Sequence, residues 1–254
     1  MNAITIASIT FVCTFGSAWL GTVIRSMLPQ SHIAKESQDV VRLGMGLVAT
    51  MTALLLGLVT ASAKGTFDST DGAVRNSAVN TVMLDRDLAR YGPETAPTRD
   101  LIRRAVVARM ESMQPAKGGA APSSLNRNEI VSPAEEAQDQ ILALTPGNDT
   151  QRWIKAEALS LTGEIVRSRW RVLGSSVSTV PRAFLAVVIF WLTATFASFG
   201  LYAPRNGTVL SAFFVASLSV AAAIFLILEL DGPFDGLIRV SIDPFRYALA
   251  HIGK

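Results

Sequence analysis

Charge is what this chain has least of. Asp, Glu, Lys and Arg together make up 17% of its 254 residues, against ~25% in a soluble domain. The shortage is concentrated. Residues 4–24, 43–63, 183–203 and 208–228 hold no Asp, Glu, Lys, Arg or His at all. Proton relays and ion-coupled pumps need ionisable groups at mid-membrane, so an energised carrier with a buried carboxylate is disfavoured. Cysteine is nearly absent too. Cys13 is the only one, which rules out an intrachain disulfide and leaves the redox compartment open. The two histidines, His32 and His251, have no Cys or His nearby, so a metal site is not expected. GxSxG, HExxH and Walker patterns are missing, and Lys117-Gly118-Gly119 lacks the strand–loop–helix frame of a phosphate cradle. Asp85 and Asp87 read as a solvated helix face rather than an acid/base pair. The sequence therefore offers no catalytic residue and no cofactor site, and the chain is not read as an enzyme. Net charge is +3, from 23 Lys and Arg against 20 Asp and Glu. That is too small and too dispersed for a nucleic-acid partner.

What is there is four apolar runs of membrane length. About 20 apolar residues at ~1.5 Å per residue cross a hydrocarbon core ~30 Å thick as one helix. The first run, Ile4–Ile24, is longer than a signal-peptide core and follows no basic n-region, so it reads as a retained span. Pro204-Arg205-Asn206-Gly207 separates the last two runs, and its Pro and Gly make it a turn. The expected fold is an all-α integral membrane protein. Its four transmembrane helices form two hairpins, with a helical cytosolic domain inserted between the second and third. The boundaries are 1–63 for the first hairpin, 64–182 for the helical domain, 183–229 for the second hairpin and 230–254 for a C-terminal membrane-interface segment.

Inside 64–182, apolar residues recur at helical spacing at Val74, Ala78, Leu84, Leu88 and Tyr91, interleaved with charge. Gly92-Pro93 breaks the pattern. No proline stands between Leu43 and Gly92, so the second span is free to continue as one helix to Tyr91. The pattern resumes at Leu101–Met110. Residues 115–128, rich in Gly, Pro, Ser and Ala, read as a mobile linker. Ser132-Pro133-Ala134-Glu135 has the form of a capping box, opening a short helix to about Leu144. A further helix should reach Gly174. Near the C-terminus, Asp243 reads as an N-cap with Pro244 at the first helical position. Phe245, Leu249 and Ile252 then form an apolar face for the membrane surface.

Basic residues set the orientation. With four spans, Lys64, Arg75, Arg167, Arg169, Arg171, Arg182, Arg239, Arg246 and Lys254 lie on one side. Only Arg25, Lys35, Arg42 and Arg205 lie on the other. The middle segment and both termini are therefore placed in the cytoplasm.

Each span carries a stripe of small residues: Ala7, Thr10, Thr14, Ser17 and Gly21; Gly46, Thr50, Ala53, Gly57 and Ala61; Thr193, Ala197 and Gly200; Ala212, Ala216, Ser219 and Ala223. Lipid offers no hydrophobic drive between helices, so such stripes serve close backbone packing. A stripe bearing hydroxyls can also line a pore, and Thr10, Thr14, Ser17, Thr50 and Gly57 are the candidates for either role. More stripes are present than one bundle needs, which points to a homo-oligomer. Candidate pore-mouth residues are Arg205 and Asn206 at one end and Glu229, Asp231 and Arg239 at the other. Arg205 also fits an interfacial anchor that snorkels to lipid phosphate.

Three stretches resemble the bacterial bestrophin-like domain family of inner-membrane proteins: LDRDLARYGPET at Leu84–Thr95, FWLTATFASFGLYAPRNGTV at Phe190–Val209, and FLILELDGPFDGLIRVSIDPFRYALAHIG at Phe225–Gly253, together with Arg99. The resemblance implies kinship with bestrophins, which are oligomeric anion channels with large cytosolic helical regions. No bestrophin pore motif matches residues here. The leading expectation is a passive oligomeric channel in a lipid bilayer, with an anion as permeant. The alternative is a membrane-anchored scaffold or signalling protein whose cytosolic helices bind a protein partner.

Overall fold

The computed structural model describes residues 2–27, 35–113, 133–175, 182–234 and 236–253. Among them every regular element is helical, and four helices are long and apolar enough to cross a membrane. In chain order the helices are α1 (Ala3–Ile24), α2 (Lys35–Tyr91), α3 (Ala96–Ser112), α4 (Pro133–Ala143), α5 (Asp149–Ser175), α6 (Arg182–Tyr202), α7 (Gly207–Asp231) and α8 (Asp243–His251). A single 3-10 turn, Pro93–Thr95, joins α2 to α3. The chain forms two compact units, Met1–Thr66 with Ser178–Gly232 and Phe67–Val177 with Pro233–Lys254.

In the first unit α1 approaches both α6 and α7 closely. Its close neighbours therefore include the third and fourth spans. The small-residue stripes explain the closeness. A Cβ on Gly200 would collide with the backbone of Ala18, and one on Gly21 would meet Ala197 O and the Leu201 N at 2.8 Å. Only glycine lets the two backbones come this near. Ser17 Oγ then donates across the gap to Thr193 O at 3.0 Å. On the α7 side, Phe214 meets Phe11 and Phe15 edge-on at centroid distances of 5.4 and 5.8 Å. Val188, Leu192 and Ile224 fill a core between α6 and α7. The membrane part of α2 joins through Ala63 against Ile227, and through Leu56 and Val59.

α2 is unbroken for 57 residues, about three times what a bilayer requires. It ends where Gly92 adopts φ 150°, a conformation that favours glycine. Thr95 closes that end by donating its hydroxyl to Leu88 O at 2.6 Å.

The second unit holds two neighbouring cores. Leu84, Leu88, Leu101, Ile102, Ala137, Ile141 and Ala158 form one, knitting α2, α3, α4 and α5. Val74, Ala78, Val106, Val172, Val240, Phe245, Ala248 and Ile252 form the other. The apolar face of α8 is thus buried inside this unit. Phe245 is 3% exposed and Ala248 fully covered, so the face expected to rest on the membrane surface packs on α2 and α3 instead. The cap of α8 also differs. Ile242 is its N-cap residue and Asp243 lies inside the first turn, with its N–H donating to Ser241 Oγ at 3.0 Å. Ser132, the capping residue expected for α4, and the 115–128 linker lie outside the described residues.

Candidate functional site

Helix C-termini leave carbonyls without intrahelical donors, and at one end of the first unit two arginines serve them reciprocally. Arg205, in the α6–α7 turn, donates from Nε to Thr22 O at 2.9 Å and from Nη2 to Val23 O at 3.1 Å. It also donates to Ser26 Oγ at 2.9 Å. Arg25, just past α1, donates from Nη1 to Ala203 O at 2.6 Å and to Tyr202 O at 3.2 Å, at the end of α6. Each guanidinium caps the other's helix, the favourable place for a cation in the helix dipole. These bonds hold Arg205 in place without neutralising it, and it stays exposed. Beside it, Asn206 caps α7, its Oδ1 accepting from Val209 N at 2.9 Å.

The stripes divide into two kinds. Thr10 and Thr14 are fully buried, and their hydroxyls donate back to Ile6 O and Thr10 O at 2.9 and 2.8 Å. With Ser17 they face the α6 side of the bundle. The α2 stripe is uncovered along its whole length, from Gly46 through Thr50, Ala53 and Gly57 to Ala61. A Cβ on Gly46 or Gly57 would meet nothing within 4 Å, and Thr50 Oγ bonds only its own helix, at Gly46 O. On α7, Ala212, Ala216, Ser219 and Ala223 are exposed as well. At the opposite end of α7, Glu229 and Asp231 are 6% and 8% exposed. Arg239, by contrast, is exposed, its Nε donating to Gly236 O.

The second unit contains a buried ion pair that amphipathic periodicity hides. Asp85 on α2 is 1% exposed. Arg99 on α3 grips it with both prongs, Nε to Oδ1 at 2.8 Å and Nη2 to Oδ2 at 3.1 Å. Gly253 N adds a third donor to Oδ2 at 3.1 Å. The bond to Asp85 raises the Arg99 pKa above its ordinary value. Asp87 is also buried, at 8% exposure, with Arg90 Nη1 3.6 Å away. The solvated-face reading of these two carboxylates is therefore corrected: both are buried, and Asp85 is met by Arg99 of α3 and by Gly253 near the C-terminus. Neither Arg25 nor Asp85 was legible as a structural group, since each finds its partner far along the chain.

A Bestrophin-like domain model matches residues 12–245. The chain belongs to the Bestrophin-like family. The first two resembling stretches fall within the matched region, and the third does so as far as Phe245. The fold is similar to that in the crystal structure of a point mutant of a bacterial Bestrophin homolog from Klebsiella pneumoniae. The TM-score is 0.66 at 14% identity, covering 95% of this chain and 98% of that one. No curated protein matches the chain in sequence.

Proposed function

We propose that this member of the Bestrophin-like family is a passive ion channel, assembled from several copies of the chain and preferring anions. The observation that carries the reading is the division of the small-residue stripes. Those of α1 and α6 are consumed by packing within one chain, while those of α2 and α7 are left uncovered. Uncovered stripes of this kind serve approach by another helix or by water, and in a homo-oligomer one can do each. We assign α2, with Gly46, Thr50 and Gly57, to the conduction path. Four spans without a charged side chain at their centre suit passive flow gated by apolar and hydroxyl side chains. Arg205 and Asn206 would form one mouth, and Glu229 and Asp231 the other. The second unit and both termini would face the cytoplasm of a bacterial inner membrane. The test is ion flux through the purified protein in liposomes.

A scaffold is the second reading, favoured by one observation. Trp153 and Trp170, both on α5, are each 63% exposed, and exposed aromatic side chains serve as anchors for protein partners. A chain that shows no flux but retains a protein partner through α5 would support it.

A further inference from the structure

Among the described residues the second unit holds a cavity of about 370 Å³, walled by α2, α3, α4, α5 and α8. Most of the wall is apolar, including Val74, Leu84, Ile102, Val106 and Phe245. Hydroxyls line it too, and they divide by what they bond. Thr81 donates to Ser77 O at 2.7 Å and Thr162 to Ala158 O at 2.6 Å, each within its own helix. Ser168 of α5 does not. It is 3% exposed and lines the cavity, and its hydroxyl has no hydrogen-bond partner among the described residues. A helical serine ordinarily returns its proton to a carbonyl one turn back, and a buried hydroxyl left without a bond is costly. Water alone does not suit the space. A buried water makes about three hydrogen bonds, and a mostly apolar wall offers few polar partners. Arg109 and Arg169 also reach the wall. Arg109 already has an interaction partner within the protein, and Arg169 is half-exposed. Neither calls for a charged ligand, and both disfavour a cation.

We propose that this cavity binds a small uncharged amphiphile, its hydrocarbon or ring body on the apolar wall and a single hydroxyl or carbonyl hydrogen-bonded to Ser168. The volume falls within the ~300–1,000 Å³ of small-molecule sites, which pair a mostly apolar lining with a few placed polar groups. Ser168 can donate to a carbonyl, or take either role with a hydroxyl. A wholly apolar body would leave Ser168 unbonded, and a charged head would be buried against hydrocarbon. The proposal does not depend on conduction and stands or falls apart from it.

The probe is octanol carrying a photoreactive diazirine, cross-linked to the full chain in lipid nanodiscs and located by peptide mass spectrometry. Labelling should saturate on peptides spanning 73–84, 102–109 and 162–172, which carry much of the wall, and plain n-octanol should displace it. At matched concentration in the bilayer, n-octane and octanoate should each compete about tenfold less well, the scale of one hydrogen bond. Ser168→Ala should weaken octanol by about the same factor and leave octane unchanged. Its thermal midpoint should not fall, because the hydroxyl removed has no partner within the described chain. Ala105→Phe fills the cavity, and it should abolish saturable labelling of all three peptides. If Ala105→Phe fails to fold, Ser168→Ala carries the test. The proposal is overturned if labelling falls only on the membrane spans, or if octane or octanoate competes as well as octanol. Unchanged octanol competition in Ser168→Ala would overturn it equally.

Discussion

Arg25 and Arg205 cap each other's helices: the first closes the end of α6 at Ala203 O, and the second closes the end of α1 at Thr22 O. The turn between the third and fourth spans is thereby fastened to the first span by five hydrogen bonds. Intramolecular hydrogen bonds contribute about 0.5–1.5 kcal/mol each. Arg205→Gln and Arg25→Gln should each lower the thermal midpoint by a few degrees, with a double variant less than additive because both act on one junction. Arg205→Lys should retain part of the effect, since an ammonium can reach one carbonyl but not span two. Thermal unfolding in detergent, followed by circular dichroism, reads all four proteins.

The α1–α6 crossing and the α2 stripe should respond oppositely to the same kind of change. Gly200→Leu places a side chain against the Ala18 backbone, where nothing can yield cheaply. Overpacking alone costs about 1–3 kcal/mol, and a clash with backbone costs more, so the variant should fail to accumulate as folded protein. Gly57→Leu enters open space. The single chain should fold as before, and the change should appear in assembly, as a shift toward smaller species in cross-linked native membranes. Cross-linking that traps only monomer in the unmodified protein would contradict the oligomer itself.

The Asp85–Arg99 pair should be sensitive to loss of one partner. Removing either leaves a buried charge, at a cost of about 3–5 kcal/mol. Asp85→Asn and Arg99→Gln should both destabilise the second unit strongly, and Asp85→Asn combined with Arg99→Gln should cost much less than the sum. Additive losses in that cycle would show that the two groups do not act as a pair.

How much of this was readable beforehand differs from element to element. The continuity of α2 was legible, because no proline interrupts Leu43–Tyr91 and Gly92-Pro93 ends it. The small-residue stripes were legible as faces, but period alone gives a face and not its partner. Nothing local says that Gly21 meets Gly200 while Gly57 meets nothing. Asp85 was misread for a related reason. A carboxylate between apolar positions counts as solvent-facing until its counter-charge is found, and here that is Arg99, 14 residues on, with Gly253 a further donor 168 residues away. The apolar face of α8 suits a membrane surface and a protein core equally, and its burial against Val74 and Val106 is a tertiary fact. The mouth residues divide in the same way. Asn206 was placed at a turn and is a helix cap, whereas the burial of Glu229 and Asp231 depends on neighbours that spacing does not reveal.

Charge selection at the mouth can be probed through Arg205 apart from stability. At matched expression, Arg205→Gln should reduce the preference for anions over cations, and Arg205→Lys should preserve it. Reversal potentials under a salt gradient across a planar bilayer report both. A glutamine variant with unaltered preference would remove Arg205 from selection and direct attention to Glu229 and Asp231.

The central claim is conduction, and chloride efflux from liposomes containing the purified chain tests it most directly. The account predicts efflux well above that of empty liposomes, dissipating without an energy source and reduced by Gly57→Leu. No efflux above empty liposomes across a range of pH and voltage would contradict it.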